Sequence, residues 1–342
     1  MTSLMSPEPV EEEFVEVSRT PIGPVSMSTL DNPTVAETES GSFWDRFKNW
    51  GDSILENESL LGYVLLVPML VVVIGLIGYP FTLSLYYSLT DKVLGQQELN
   101  FVGLRNYIEL ANDPIFRKTV VNTFNYSVTA VFFKVGLGLI MALTLQEVVH
   151  MRKIVRALFL LPWVAPSSLT VLAWVWMFDS QYSIITWFLQ QAGLVEGKIP
   201  WFGDPELAMF AVQVVNIWRG VPFFGMLILA GLVTVPKELY EAATMDGANS
   251  WQRFWSVTFP HILPILLVAT LFSFVVTLGD FQIVWILTKG GPQNATHLIA
   301  TLAFRTAIRG ANIAKGAAIA SFLFPFLVIV IALQVRFLRN RS

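Results

Sequence analysis

Four ionisable side chains stand inside or at the edge of long apolar runs of this sequence: Lys134, Arg219, Asp280 and Lys315. A charge in lipid is costly unless it faces protein or water, so each is a candidate for function. Lys315 opens its run and can lead its amine back to the interface, an escape only partly open to Lys134. Arg219 lies between Trp218 and Gly220, just before Pro222. Asp280 falls in Thr277-Leu278-Gly279-Asp280-Phe281-Gln282, a stretch that is polar for its depth. Two chemistries suit this set. Arg219 and Asp280 can pair with each other or with a second subunit, as structure only. Interleaved with Trp218, Phe223, Phe281 and Trp285, they also suit a hydroxyl-rich solute such as a sugar. Its rings stack on aromatics while its hydroxyls find donors and acceptors.

The composition narrows the setting. Of 342 residues, 54% are hydrophobic and 14% charged, against about a quarter charged in an ordinary soluble protein. That balance reads as an all-α polytopic membrane protein. A net charge of −3 gives no footprint for nucleic acid. The absence of cysteine removes thiol catalysis, cysteine-ligated zinc, iron–sulfur clusters and disulfides. His150, His261 and His297 are too scattered to suggest a metal site. No cleavable signal peptide is visible.

Three segments follow from the pattern. Residues 1–41 are polar and acidic and read as a disordered tail. Residues 42–59, with Phe43, Trp44, Phe47, Trp50 and Ile54 at helical spacing, read as an amphipathic helix in the membrane interface. Residues 60–342 read as a membrane domain of six helices, each near the ~20 residues that a crossing needs. The spans are Leu61–Leu83, Val120–Leu145, Val155–Phe178, Leu207–Leu232, Ile265–Leu287 and Ala314–Leu333. Pro162, Pro166, Pro222 and Pro325 interrupt them, as in spans that line a wet pathway. Short helices around Phe101–Tyr107 and Pro114–Phe116 are expected to cap the outer mouth. Gly316, Ala317, Ala320 and Ser321 predict close helix packing in the sixth span.

Short-loop lysine and arginine bias places both termini, the Arg152 loop and the Glu241 loop in the cytoplasm. Lys92, Arg105, Arg117 and Lys118 argue the other way, from a longer segment that also carries acids.

The loop at 236–260 does not read as a loop. Pro236 can open a helix, and Leu239, Ala242, Ala243 and Met245 fall near helical spacing. Asp246-Gly247 marks a turn. Asn249 or Ser250 then caps a second helix carrying Trp251, Phe254, Trp255 and Val257, which Pro260 and Pro264 close. A stiff, wet-facing helix–turn–helix predicts a docking surface for a soluble partner, with an ordinary interfacial helix pair as the alternative.

The stretch Pro236-Lys237-Glu238-Leu239-Tyr240-Glu241-Ala242-Ala243-Thr244-Met245-Asp246-Gly247-Ala248, with Phe254 and Phe259-Pro260 downstream, resembles the EAA loop of ABC-importer permeases. Phe101–Tyr107, Leu160-Leu161-Pro162-Trp163, Trp174-Val175-Trp176, Asn216-Ile217-Trp218 and Thr288-Lys289-Gly290-Gly291-Pro292 narrow the resemblance to the carbohydrate-uptake branch. It covers roughly residues 60 to 340. The resemblance implies a six-span permease subunit of the cell inner membrane, working by alternating access with a second homologous permease. It also implies a cytoplasmic ATPase dimer holding ATP and Mg, and an extracytoplasmic solute-binding protein. This chain has no Gly-x-x-x-x-Gly-Lys-Ser/Thr loop, so the energy source is a partner. Glu241, Ala242, Ala243, Asp246, Gly247, Ala248, Phe254 and Pro260 would form the coupling loop. Asn216, Arg219, Gly220, Phe223, Ser273, Val276, Thr277 and Asp280 would line the solute pathway. Arg219, Asp280 and Val276 depart from a disaccharide pocket, which leaves a different sugar, a polyol or a glycerol-phosphate ester open.

The competing class is an ion-coupled secondary carrier. It would explain Asp280 and the broken spans but not the 236–260 element. A membrane enzyme lacks any nucleophile–base pair or metal cluster.

Overall fold

The computed structural model describes residues 58–147 and 151–339. It divides into two compact units, residues 1–67 and 68–342. The first is described only from Glu58, where helix α1 (Glu58–Val72) begins. The tail and nearly all of the 42–59 segment thus lie outside the described residues. The described chain is helical, and its only strand-like pairing is an isolated bridge between Thr90 and Phe101.

Five continuous helical stretches and one bent pair are long and apolar enough to cross a membrane. The first, Leu61–Ser88, carries α1 through a π-helical turn into α2 (Tyr79–Ser88). It runs past the expected Leu83 because the segment that follows supplies partners for its end. Asn106 donates from its amide to the carbonyls of Ser88 and Thr90, and the Ser88 hydroxyl bonds the Tyr107 hydroxyl.

Helix α3 (Arg105–Asn112) sits in the expected outer segment. Pro114, however, opens no separate short helix. It starts α4 (Pro114–Glu147), with Asp113 accepting the backbone N–H groups of Ile115 and Phe116. Proline suits this place because a first-turn residue needs no N–H donor.

The third span is α5 (Arg152–Val164) followed by α6 (Ser167–Met177), bent by 87°. Pro166 makes the bend by forcing Ala165 into an extended conformation. Pro162 and Pro222 do not break their helices, contrary to expectation. Each costs one backbone hydrogen bond but stays inside α5 and α8 (Pro205–Val233) respectively. The loop between α6 and α8 contains a short α7 (Ile184–Gln191), and Asp204 caps α8.

Helices α4 and α8 cross closely because glycines meet side chains. A Cβ on Gly138 would fall 2.5 Å from the Phe224 Cβ and 3.1 Å from the Gly225 nitrogen. Gly225 receives Met141, and Gly220 receives the stem of Lys134. Around this crossing Leu145, Phe224, Ile228, Leu232, Ile262 and Leu266 form a buried cluster. Gly138→Val will therefore destabilise the purified protein by about 2–3 kcal/mol, since the atoms in the way are backbone or next to it. Thermal unfolding in detergent checks this, and an unchanged Tm contradicts the close crossing.

After α8 come α9 (Lys237–Met245) and α10 (Ser250–Arg253). Pro260 and Pro264 do not end the second arm. It continues through a π-helical turn, Phe254–Thr258, into α11 (Phe259–Leu278). The wider turn, with Phe259 N–H reaching the Phe254 carbonyl, absorbs the donor missing at Pro260. The fifth span instead breaks later, at Gly279–Phe281, before α12 (Gln282–Leu287).

The last stretch comprises α13 (Ile299–Phe304), a π-helical turn Arg305–Arg309, α14 (Ile313–Ser321) and α15 (Leu323–Arg339). Gly316 packs on Ala307, where a Cβ would meet the alanine Cβ at 2.4 Å. The break in this span falls at Phe322, which leaves Pro325 in the first turn of α15. Lys315 is tied to Glu109 at 3.8 Å near the start of α14.

The turn before α13 closes on His297. Gly290, at φ +91°, has no side chain because the imidazole occupies that space, 2.1 Å from where a Cβ would stand. Arg305 donates to His297 Nε2 at 3.0 Å, and Nδ1 lies 3.1 Å from the Thr301 hydroxyl. Burial first, and then the Arg305 charge, push His297 down from 6.5 to about 4. The native state thus binds the neutral ring, and the unfolded chain gains its proton first. Its contribution is complete above pH 6.5 and is lost as pH falls through about 4. Amide exchange over residues 288–304, corrected for intrinsic rates, should rise across that window. A flat profile contradicts the assignment.

Candidate functional site

A cavity of ≈ 310 Å³ opens where the middles of α4 and α8 meet the break between α11 and α12. Asp280 organises its floor. Its Oδ2 accepts from the Tyr126 hydroxyl at 2.6 Å and from the Asn216 amide at 2.9 Å. Tyr126 is fully buried and comes from α4, so one carboxylate ties three helical elements together. Lys134 is buried as well, its Nζ 3.0 Å from the Thr277 hydroxyl and 3.5 Å from that of Ser273. It does not reach the interface. Gly220 makes that possible, since a Cβ there would meet the lysine Cε at 2.5 Å.

Arg219 lines the same cavity. Among the described residues the ion pairs are Arg105–Glu109 and Lys315–Glu109, so the expected alternative of an Arg219–Asp280 pair is not formed. The Arg219 Nε and the Asn216 Oδ1 are buried without hydrogen-bond partners. One wall is aromatic. Trp163 stacks on Phe223 with ring centres 4.9 Å apart, and Phe272 tilts against Phe223 at 5.5 Å. Gln282 closes the opposite side by bonding Ser167 and Ser168, which joins the bend at Pro166 to the break after Leu278.

All eight residues expected along the pathway line this cavity: Asn216, Arg219, Gly220, Phe223, Ser273, Val276, Thr277 and Asp280. Of the aromatics expected with them, Phe223 and Phe281 are present. Trp218 and Trp285 are not. Trp218 lines a separate apolar hollow of ≈ 730 Å³ with Phe133, Leu137 and Pro162, and Trp285 stacks on Phe281 beneath the Arg309 guanidinium. Sequence reasoning missed Tyr126 and Phe272 and gave Trp163 and Gln282 no pocket role. Tyr126 reads as one more aromatic on an apolar helix, and its partner lies 154 residues away.

The second feature is the 236–260 element. Helix α9 ends in a Schellman turn, with Gly247 N–H on the Thr244 carbonyl and Ala248 N–H on that of Ala243. Gly247 supplies the left-handed residue at φ +77°. Asn249 and Gln252 then form a capping box that starts α10. Arg253 bonds Thr244 and Ser250, and Tyr240 bonds Thr258, so two side-chain ties hold the arms in one geometry. Glu241, Ala242, Asp246 and Pro260 are exposed, and Ala243, Ala248 and Phe254 are partly covered. Met245 and Trp251 stand 88% and 69% exposed at the tip. Together they give the element an apolar tip on a braced support.

Residues 134–341 match the family of binding-protein-dependent transport system inner membrane components. The chain belongs to that family. It is a membrane-spanning permease subunit of a binding-protein-dependent importer. The trehalose/maltose transport system permease MalF of Thermococcus litoralis is 37% identical to this permease over 72% of this chain and 83% of its own length. The sulfoquinovosyl glycerol permease SmoG of Agrobacterium fabrum is 32% identical over 87% and 95%. A chain of a bacterial ABC transporter that imports the acidic polysaccharide alginate shares the fold, with a TM-score of 0.70 at 22% identity over 86% of this permease and 99% of that chain.

Proposed function

We propose that this permease subunit carries a sugar or closely related solute into the cytoplasm, through the cavity at Asp280. The observation that carries the reading is the cavity itself. Hydroxyl and amide groups of Ser273, Thr277 and Asn216 face an aromatic wall of Trp163, Phe223 and Phe272 midway along the spans. Such a mixture binds polyhydroxylated rings. The relatives named for trehalose/maltose and sulfoquinovosyl glycerol support a carbohydrate cargo.

The energy comes from a cytoplasmic ATPase dimer that holds ATP and Mg, and the Glu241–Ala248 turn is the element docked in it. A second homologous permease completes the path within the lipid, and an extracytoplasmic binding protein delivers the solute. Both termini then lie in the cytoplasm with Lys153, Arg156, Lys237, Arg253 and Arg336. On the opposite side several basic residues are held in fixed contacts. Arg105 and Lys315 meet Glu109, Lys118 bonds the Gln293 carbonyl, and Arg305 holds Asn294 and His297.

Purifying the tagged complex from its native membrane and reconstituting it with its binding protein tests the proposal. ATP-dependent accumulation of a labelled sugar is expected. Uptake driven by an ion gradient with no ATPase present contradicts it.

A further inference from the structure

The cavity holds more positive than negative groups, and its own walls do not compensate the excess. Lys134 and Arg219 both line it, while Asp280 is its one acid. The other acids on α4 and α8, Glu147 and Glu206, stand at the far ends of those helices, and no acidic residue follows Asp280 in the chain. Asp280 is already committed to Tyr126 and Asn216. Lys134 has hydroxyl partners in Ser273 and Thr277, but the Arg219 side chain makes no hydrogen bond or ion pair among the described residues, and its Nε is buried. A guanidinium stays charged at any working pH and is costly to leave unpaired in a poorly solvated site. A neutral sugar offers it only hydroxyl oxygens. An acidic group offers a charge-assisted, forked contact.

We infer that the solute carried through this cavity bears an acidic group that Arg219 receives, with Lys134 adding to the attraction. The inference rests on the reading of the cavity as a solute pocket. The geometry also places the acid. Asn216, itself 8% exposed, lines the cavity with its Oδ1 buried and still lacking a hydroxyl donor. It stands three residues before Arg219 on α8, so the two side chains are neighbours on one helix face. Hydroxyl and acid therefore belong to the same sugar unit or to adjoining ones, with a ring against Phe223. Carboxylate, sulfonate and phosphate share this chemistry.

The test is equilibrium binding to the whole importer complex in lipid nanodiscs, without the binding protein, so that the membrane pocket alone selects. The probes are glucose and cellobiose with their uronic acids, plus glucose 6-phosphate and 6-deoxy-6-sulfoglucose. At least one acidic probe should bind roughly tenfold or more tightly than its neutral parent, and the arm that wins names the acid. Arg219→Gln should erase the preference and Arg219→Lys should keep part of it. The wild-type preference decides the matter even if a variant fails to assemble. Equal or tighter binding of the neutral parents overturns the acidic solute and leaves the sugar pocket standing. No binding of any probe overturns both.

Discussion

Replacing Gly247 with valine will leave the importer assembled in the membrane but cut coupled uptake roughly tenfold or more, with residual ATP hydrolysis no longer tied to transport. A Cβ at this position meets nothing within 4 Å, so crowding is not the cause. The cause is backbone conformation. Gly247 lies at φ +77°, which costs an ordinary residue roughly 1–2 kcal/mol and a β-branched one more. The turn would relieve that strain by releasing the Gly247 and Ala248 N–H bonds that end α9. The two arms would then lose the angle that the ties at Arg253 and Tyr240 enforce. Gly247→Asn should be much milder, because asparagine tolerates the left-handed region. Equal uptake in wild type and Gly247→Val would remove the basis for assigning this turn a coupling role.

The second large effect is expected at Asp280. Asp280→Ala orphans the hydroxyl of a fully buried tyrosine and the amide of Asn216 together, at about 1–3 kcal/mol for each unsatisfied group. Asp280 joins α4 to α8, so the change touches the assembly as well as the solute. Asp280→Asn separates the two roles. It keeps an acceptor of the same shape and loses the charge, so the fold should persist while uptake falls roughly tenfold. Thermal stability and transport measured on both variants check this. Alanine and asparagine variants with the same Tm would contradict the tie, and full uptake in the asparagine variant would contradict a pocket role.

Much of this arrangement was legible in the chain. Asn216, Arg219, Gly220 and Phe223 fall at i, i+3, i+4 and i+7, as do Ser273, Val276, Thr277 and Asp280. The resemblance to importer permeases pointed to these positions, and the spacing agrees with it by placing the first set on one face of α8, while Asp280 lies in the break that follows α11. The knuckle was legible because a left-handed glycine and an asparagine cap are local signals. What escaped was long-range or depended on partners. Tyr126 gains its meaning only from Asp280, and Lys134 fits only because Gly220 lacks a side chain. Prolines were an uneven guide. Pro166 bends its span by 87°, whereas Pro222 stays within a continuous helix and Pro260 is absorbed by a π-helical turn. A proline removes one donor wherever it stands, and the surrounding packing decides whether the helix breaks.

In the importer proposed above, the Glu241–Ala248 turn is the cytoplasmic contact between this permease and an ATPase. The chain has no cysteine of its own, so Met245→Cys places a single thiol at the exposed tip. The decisive measurement is photo-cross-linking from a benzophenone maleimide on that thiol in native membranes, with the captured protein identified by mass spectrometry. A nucleotide-binding subunit should be captured, with a yield that changes when ATP is added. Labelling of the same thiol in intact cells by a membrane-impermeant reagent, or capture of an extracytoplasmic protein, would contradict the account.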